Sequence, residues 1–194
     1  ARELLRGEGP ADMILLRGFS TLPGWPSFRD RFGLRGIALA GYPMYRGVAR
    51  LLGMEAPELG DGMEEKLAAF AAHREEFDFF HLHVKQTDSA GEDGDFAGKV
   101  ERIEAVDREL VPRLREKGPE VLIVTGDHST PAALESHSWH PVPLLLRADT
   151  CRPDGVERFG ERACLQGGLG PRLPAPAILP LALAHAGRLD KFGA

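Results

Sequence analysis

A chain of 194 residues is long enough for one domain with a substantial core and short for two. Hydrophobic residues at 43% and charged residues at 27% exclude disordered and fibrous architectures. A net charge of −5 argues against general nucleic-acid binding. From the amino end, Met13–Leu16 is a short apolar run, followed by the turn-rich Pro23-Gly24-Trp25-Pro26. Ser27 is placed to cap a short helix through Phe32 that Gly33 ends. Gly36–Ala40 reads as a buried strand and Tyr45–Leu52 as a short helix. Met63–Glu76 carries Leu67, Phe70 and Ala71 at helical spacing, and Phe77–Val84 is an aromatic, β-branched strand. Phe96–Lys117 predicts one long helix with Val100, Ile103, Val106, Leu110 and Leu114 on a stripe, bent by Pro112. The near-continuous apolar run Glu120–Thr125 predicts a strand covered on both faces, and Val142–Arg147 another. Ala177–Ala186 predicts a final helix. This order implies an α/β fold with a mostly parallel sheet over residues 61–194, with residues 1–60 as a different unit.

No apolar run approaches the roughly 20 residues needed to span a bilayer; Ala177–Ala184 is short and broken by Pro180. Cys151 and Cys164 cannot build a disulfide scaffold, so a cytoplasmic setting with free thiols is expected. The chain opens on Ala1 without the marks of a signal peptide, and reads as a piece of a longer protein.

Ligand-type residues gather in three stretches beside the strands. Thr125-Gly126-Asp127-His128-Ser129-Thr130-Pro131 directly follows an apolar strand, where sites of open α/β sheets collect. A carboxylate next to an imidazole there suits Mn²⁺ or Zn²⁺, and an N-cap Asp with a surface His is the simpler alternative. His137-Ser138-Trp139-His140-Pro141-Val142-Pro143 adds two histidines ahead of the next strand. His83-Val84-Lys85 to Asp95 is an acidic, glycine-containing loop with Asp88, Glu92, Asp93 and Asp95, oxygen ligands that hard cations favour. His81 and His83 share one side of their strand. Trp25 is expected to be buried, and the cysteines have no catalytic partner in sequence.

Taken together, T-G-D-H-S-T-P, H-S-x-x-P-V-P and H-V-K…D-x-A-G-x-D-G-D resemble the archaeal-type cofactor-independent phosphoglycerate mutases of the alkaline phosphatase-like metalloenzyme superfamily. L-L-R-G-F near 15–19, F-G-L-R-G-I-A at 32–38, R-G-V-A-R-L-L-G-M at 46–54, D-G-V-E-R-F at 154–159, Q-G-G-L-G at 166–170 and K-F-G-A at 191–194 agree. The resemblance implies a three-layer α/β/α core, incomplete here, preceded by the tail of an inserted cap: residues 1–60 as the end of the cap and 61–194 as the second half of the core. It implies two divalent ions, Mn²⁺ first, with Mg²⁺, Co²⁺ and Zn²⁺ as alternatives. Asp88 and His137 belong to one ion, with Glu92 standing where the family usually has His; Asp127 and His128 belong to the other. The resemblance further implies 2,3-bisphosphoglycerate-independent interconversion of 2- and 3-phosphoglycerate through a phosphoserine, a step of glycolysis and gluconeogenesis. The nucleophilic serine is expected upstream of Ala1, leaving no catalytic nucleophile in this chain. Arg46 and Lys85 are candidates for holding a small-molecule phosphoglycerate. A homo-oligomer is compatible with this reading, whereas nucleic acid and membrane are not expected partners. The alternatives are a metal-dependent phosphatase or phosphonate-acting relative, and a non-catalytic fragment.

Overall fold

The computed structural model describes residues 2–7, 9, 10, 13–16, 18–189 and 191. The first regular element is α1 (Phe28–Phe32), where the Ser27 hydroxyl accepts the Asp30 N–H and Gly33, at φ 69°, ends the helix. Strand β1 (Gly36–Leu39) follows, then α2 (Pro43–Leu51), which starts two residues before the expected Tyr45 because Pro43 occupies its first turn. Next come α3 (Met63–His73) and β2 (Phe79–Leu82). Crossing over through α2 and α3 brings β2 parallel to β1, with Gly36 opposite Phe79 and Leu39 opposite Leu82. A single parallel bridge from Ile37 to Glu55 extends the other edge of β1.

All four residues of β1 are buried, and their alternation divides the interior. Ala38 faces one cluster with Phe28, Ala49, Met54, Ala56 and Leu183. Ile37 and Leu39 face another with Leu67, Phe70, Leu110 and Leu114. Helices therefore cover the parallel pair on both faces. A Cβ at Gly36 would meet the Met54 side chain at 2.9 Å and the Phe28 ring at 3.1 Å, so any larger residue there would have to displace that layer. The expected boundary near residue 60 is crossed by this pairing, since β1 lies before it and β2 after it.

Three further expectations differ from the structure. The stretch 96–116 is not one uniform helix: α5 (Phe96–Ala105) passes through a wide π-turn at Val106–Leu110 into α6 (Val111–Glu116). Pro112 has no N–H to give and its ring crowds the carbonyl four residues earlier, and the ladder widens just ahead of it, with Val111 N–H donating to Val106. Of the expected stripe Leu110 and Leu114 are buried, whereas Val100 and Ile103 stay exposed. Second, β3 (Val121–Thr125) and β4 (Leu144–Ala148) pair antiparallel, and among the described residues they form a sheet of their own. Their connection contains only a short 3-10 turn at Ala132–Leu134, so no crossover helix turns the chain parallel. Val121–Val124 are half-buried rather than covered on both faces. Third, Trp25 is 56% exposed, lying in the irregular stretch before α1 where no element covers it. The fold ends with the one-turn α7 (Glu161–Cys164) and with α8 (Ile178–His185).

Asp78 fastens the start of the parallel pair. Its Oδ2 accepts the Arg35 backbone N–H at 2.9 Å and Arg35 Nε at 3.0 Å, and its Oδ1 takes Arg188 Nη2 at 3.3 Å. The hydrogen bond from Arg35 holds the Asp78 carboxyl below the ordinary carboxylate value. Asp78→Ala is expected to cost about 1–2 kcal/mol in urea unfolding at neutral pH. The deficit should shrink as pH falls through the lowered folded-state value, where wild type protonates Asp78 and loses the same bonds.

Candidate metal centre

The acidic stretch after β2 is helical, not a flexible loop. Helix α4 (Gln86–Glu92) starts three residues after the strand and carries Asp88 in its first turn, where a carboxylate suits the helix N-terminus. Glu92 follows one turn later on the same face. Asp95 serves another purpose, capping α5 by accepting the Gly98 N–H at 2.9 Å.

Close packing of α4 against the segment after β3 assembles the group. Gly91 is buried, and a Cβ there would meet the Thr130 carbonyl at 2.3 Å, so this contact excludes every other residue. Thr130 is itself buried, at 3% exposure. It donates its hydroxyl to Asp88 Oδ1, lies 3.1 Å from His128 Nδ1, and receives Lys99 Nζ on its carbonyl at 2.6 Å. An antiparallel bridge from Ser129 to Ser138, with Ser138 N–H donating to Ser129 at 2.9 Å, folds the nine-residue spacing back on itself. That reversal lays the His137 ring on the His128 ring, with centroids 3.8 Å apart.

The result is one continuous group. His128 Nδ1 is 3.8 Å and His137 Nε2 3.7 Å from Asp88 Oδ1. His137 Nε2 is 3.4 Å from Glu92 Oε1, and His128 Nε2 is 3.6 Å from Asp127 Oδ2. Donor atoms of Asp88, His128 and His137 lie within 4.8 Å of one another, a spacing able to hold one cation among two imidazoles and a carboxylate. His128 thus stands between Asp88 and Asp127, where sequence had separated the residues into two sets.

Burial pushes the Asp88 carboxyl up, but hydrogen bonds from Lys85 and Thr130, with the nearby Lys85 and His128, outweigh it and keep its pKa below the ordinary value. Asp127 follows the same pattern, with the Tyr45 hydroxyl as its leading counterweight. Both side chains stay ready to act as anions near neutral pH. Lys85 lies in the group, its ammonium paired with Asp88 and 3.5 Å from Glu92 Oε2. Arg46 stands one residue from Tyr45 in α2, with its Nε buried and without a hydrogen-bond partner.

Sequence reasoning missed Tyr45, Thr130 and Gly91. A threonine two residues after His128 in the D-H-S-T-P run, and a glycine three residues after Asp88, were the available signals. Trp139 is 85% exposed and stacks on His140. Among the described residues no helix is long and apolar enough to cross a membrane.

A protein named "probable 2,3-bisphosphoglycerate-independent phosphoglycerate mutase" from Thermus thermophilus is 48% identical over 196 residues, covering 100% of this chain and 48% of the relative. One of the same name from Deinococcus radiodurans is 47% identical over 197 residues, covering 100% and 48%. The chain therefore spans about half the length of the curated relatives it matches. The solved structure of the PH0037 protein from Pyrococcus horikoshii superposes with a TM-score of 0.85 at 33% identity, covering 92% of this chain and 57% of that one. The cofactor-independent phosphoglycerate mutase from Thermoplasma acidophilum gives a TM-score of 0.67 at 25% identity, covering 85% and 40%. The family model of the metalloenzyme superfamily matches residues 8–175, and with the strand-end group of acids and histidines this shows that the chain belongs to that superfamily.

Proposed function

We propose that this chain is the metal-holding part of a cytoplasmic 2,3-bisphosphoglycerate-independent phosphoglycerate mutase, interconverting 2- and 3-phosphoglycerate in glycolysis and gluconeogenesis. The observation that carries the reading is the convergence of Asp88, His128 and His137 beside Glu92 and Asp127, in a chain that matches relatives of that name along its whole length. On this reading Asp88, Glu92 and His137 hold one divalent ion and Asp127 and His128 contribute to a second, with Mn²⁺ suited to the mixed nitrogen and oxygen donors. When bound, such ions supply Lewis-acid stabilisation to the charge of a transferring phosphoryl group.

The chain's own residues hold the rest of the site. Asp88 and Asp127 stay anionic through the hydrogen bonds described above, and the imidazoles present ring nitrogens toward the same space. Arg46 and Lys85 offer positive charge to the phosphate and carboxylate of a glycerate phosphate. On this reading the cap end lies in the earlier part of residues 1–60, and β1 and α2 join residues 61–194 in the core. The phosphoryl-accepting serine comes from sequence outside this chain. Ser129 is not given that role on this reading; its hydroxyl donates to the His140 carbonyl at 3.3 Å.

The test is an enolase-coupled assay with 3-phosphoglycerate and Mn²⁺, on this chain and on the protein at its relatives' full length. The full-length protein should turn over without 2,3-bisphosphoglycerate, lose activity on chelation and regain it with Mn²⁺, while the 194-residue chain is inactive. Release of inorganic phosphate in place of isomer overturns the mutase reading in favour of a phosphatase. Turnover by the chain alone that disappears in Ser129→Ala overturns the assignment of the serine.

A further inference from the structure

Asp127 lies on a surface segment with its side chain 54% exposed. Its Oδ1 accepts only the N–H of the following His128, at 3.2 Å. These contacts, with His128 Nε2 3.6 Å from Oδ2, tie the carboxylate only to its own segment. What holds it comes from α2, 82 residues earlier: the Tyr45 hydroxyl donates to Asp127 Oδ2 at 2.6 Å. Such a short bond to a carboxylate is charge-assisted and directional.

The phenol is itself held in place. Its ring lies against His83, with centroids 3.9 Å apart, and the ring of Tyr42 flanks it at 6.0 Å. The His83 backbone is fixed in turn, its N–H continuing the parallel ladder to Leu39 at 3.2 Å. Tyr45 therefore links the carboxyl end of the parallel pair to the segment after β3, across two sheets that share no strand pairing among the described residues.

We propose that Tyr45 is a positioning residue for Asp127, fixing which carboxylate oxygen and lone pair face the centre and thereby setting how tightly a divalent cation is held there. The proposal rests on the metal-centre reading above. Partners of this kind typically account for 10–100-fold in metal affinity by fixing ligand orientation. A residue that only packs α2 against β2 would keep its ring and its effect as phenylalanine.

The experiment is calorimetric titration of Mn²⁺ into the wild-type chain, Tyr45→Phe and Asp127→Asn, with metal-free thermal unfolding of each. Tyr45→Phe should weaken the affinity that depends on Asp127 by about 10–100-fold while lowering the metal-free unfolding temperature by no more than a few degrees. Undiminished affinity in Tyr45→Phe, with binding weakened in Asp127→Asn, overturns the positioning role and leaves the metal centre standing; affinity undiminished in Asp127→Asn as well overturns the premise that Asp127 holds the cation. Absence of Mn²⁺ binding by wild type overturns both. Should Tyr45→Phe lose folded structure, the tyrosine Raman doublet of the folded wild type and of Asp127→Ala reads the bond itself. Tyr42 is the only other tyrosine, so a donor signature lost in Asp127→Ala supports the proposal and one that persists overturns it.

Discussion

Asp88→Asn is expected to lower Mn²⁺ affinity by more than about 100-fold, beyond what outer partners of a metal site are worth. The side chain keeps its shape and loses its charge, so a change in folding does not account for the loss. Asp88 is the one carboxylate within reach of both imidazoles, at 3.8 Å from His128 and 3.7 Å from His137. It is 16% exposed, so its charge is screened far less than that of Glu92 at 45%. Without it, His137 and the more exposed Glu92 remain for that ion, a donor set with little to offset the dehydration of a dication. Glu92→Gln should therefore cost less than Asp88→Asn. Isothermal titration of both variants checks the order, and equal losses would place the centre of charge elsewhere.

Lys66→Met is expected to leave the fold as stable as wild type, or to raise its stability by ~1–2 kcal/mol, although it removes a charged group from the interior. The Lys66 side chain is fully buried in the first turns of α3. Its Nζ reaches only the Gly60 carbonyl at 3.4 Å and Asp61 Oδ1 at 3.8 Å, long distances for so costly a burial. Burial lowers the pKa of this ammonium from 10.5, against the smaller opposing effects of Asp61 and Glu65. Between the lowered folded-state value and 10.5 the unfolded chain binds more protons than the folded one, so stability should rise with pH through that window. Methionine has nearly the same length and no proton to lose, so the rise should be absent from Lys66→Met. Urea unfolding at closely spaced alkaline pH values, wild type against variant, measures the difference. A strongly destabilised variant would mean that Lys66 ties the 60–62 turn across the end of β1. That turn packs tightly there, since a Cβ at Gly41 would meet Asp61 Oδ1 at 2.1 Å.

Local chemistry made much of this molecule legible in its sequence. The Ser27 cap and Gly33 stop bound α1, the apolar run from Gly36 marks a buried strand, and the runs at 121–125 and 144–148 are strands. Such signals come from residues a few positions apart, whose capping bonds and side-chain periods need no distant partner. The candidate ligands were legible too, as polar stretches beside apolar strands. Packing between distant segments decided the rest. Asp93, Gly94 and Asp95 suggested a loop, yet Gly91 admits the Thr130 carbonyl and the preceding turns form a helix that presents Asp88 and Glu92 together. The Ser129–Ser138 bridge, not the spacing, brought His137 onto His128. Sequence alone paired His128 with its neighbour Asp127 and could not place it beside Asp88, forty residues away. Nor could it find Tyr45, whose hydroxyl reaches Asp127 only because α2 and the segment after β3 meet at the same end of the fold. A hydrogen bond across 82 residues has no local signature: its 2.6 Å is set by how layers of helix and sheet pack, and that is decided only when the core closes.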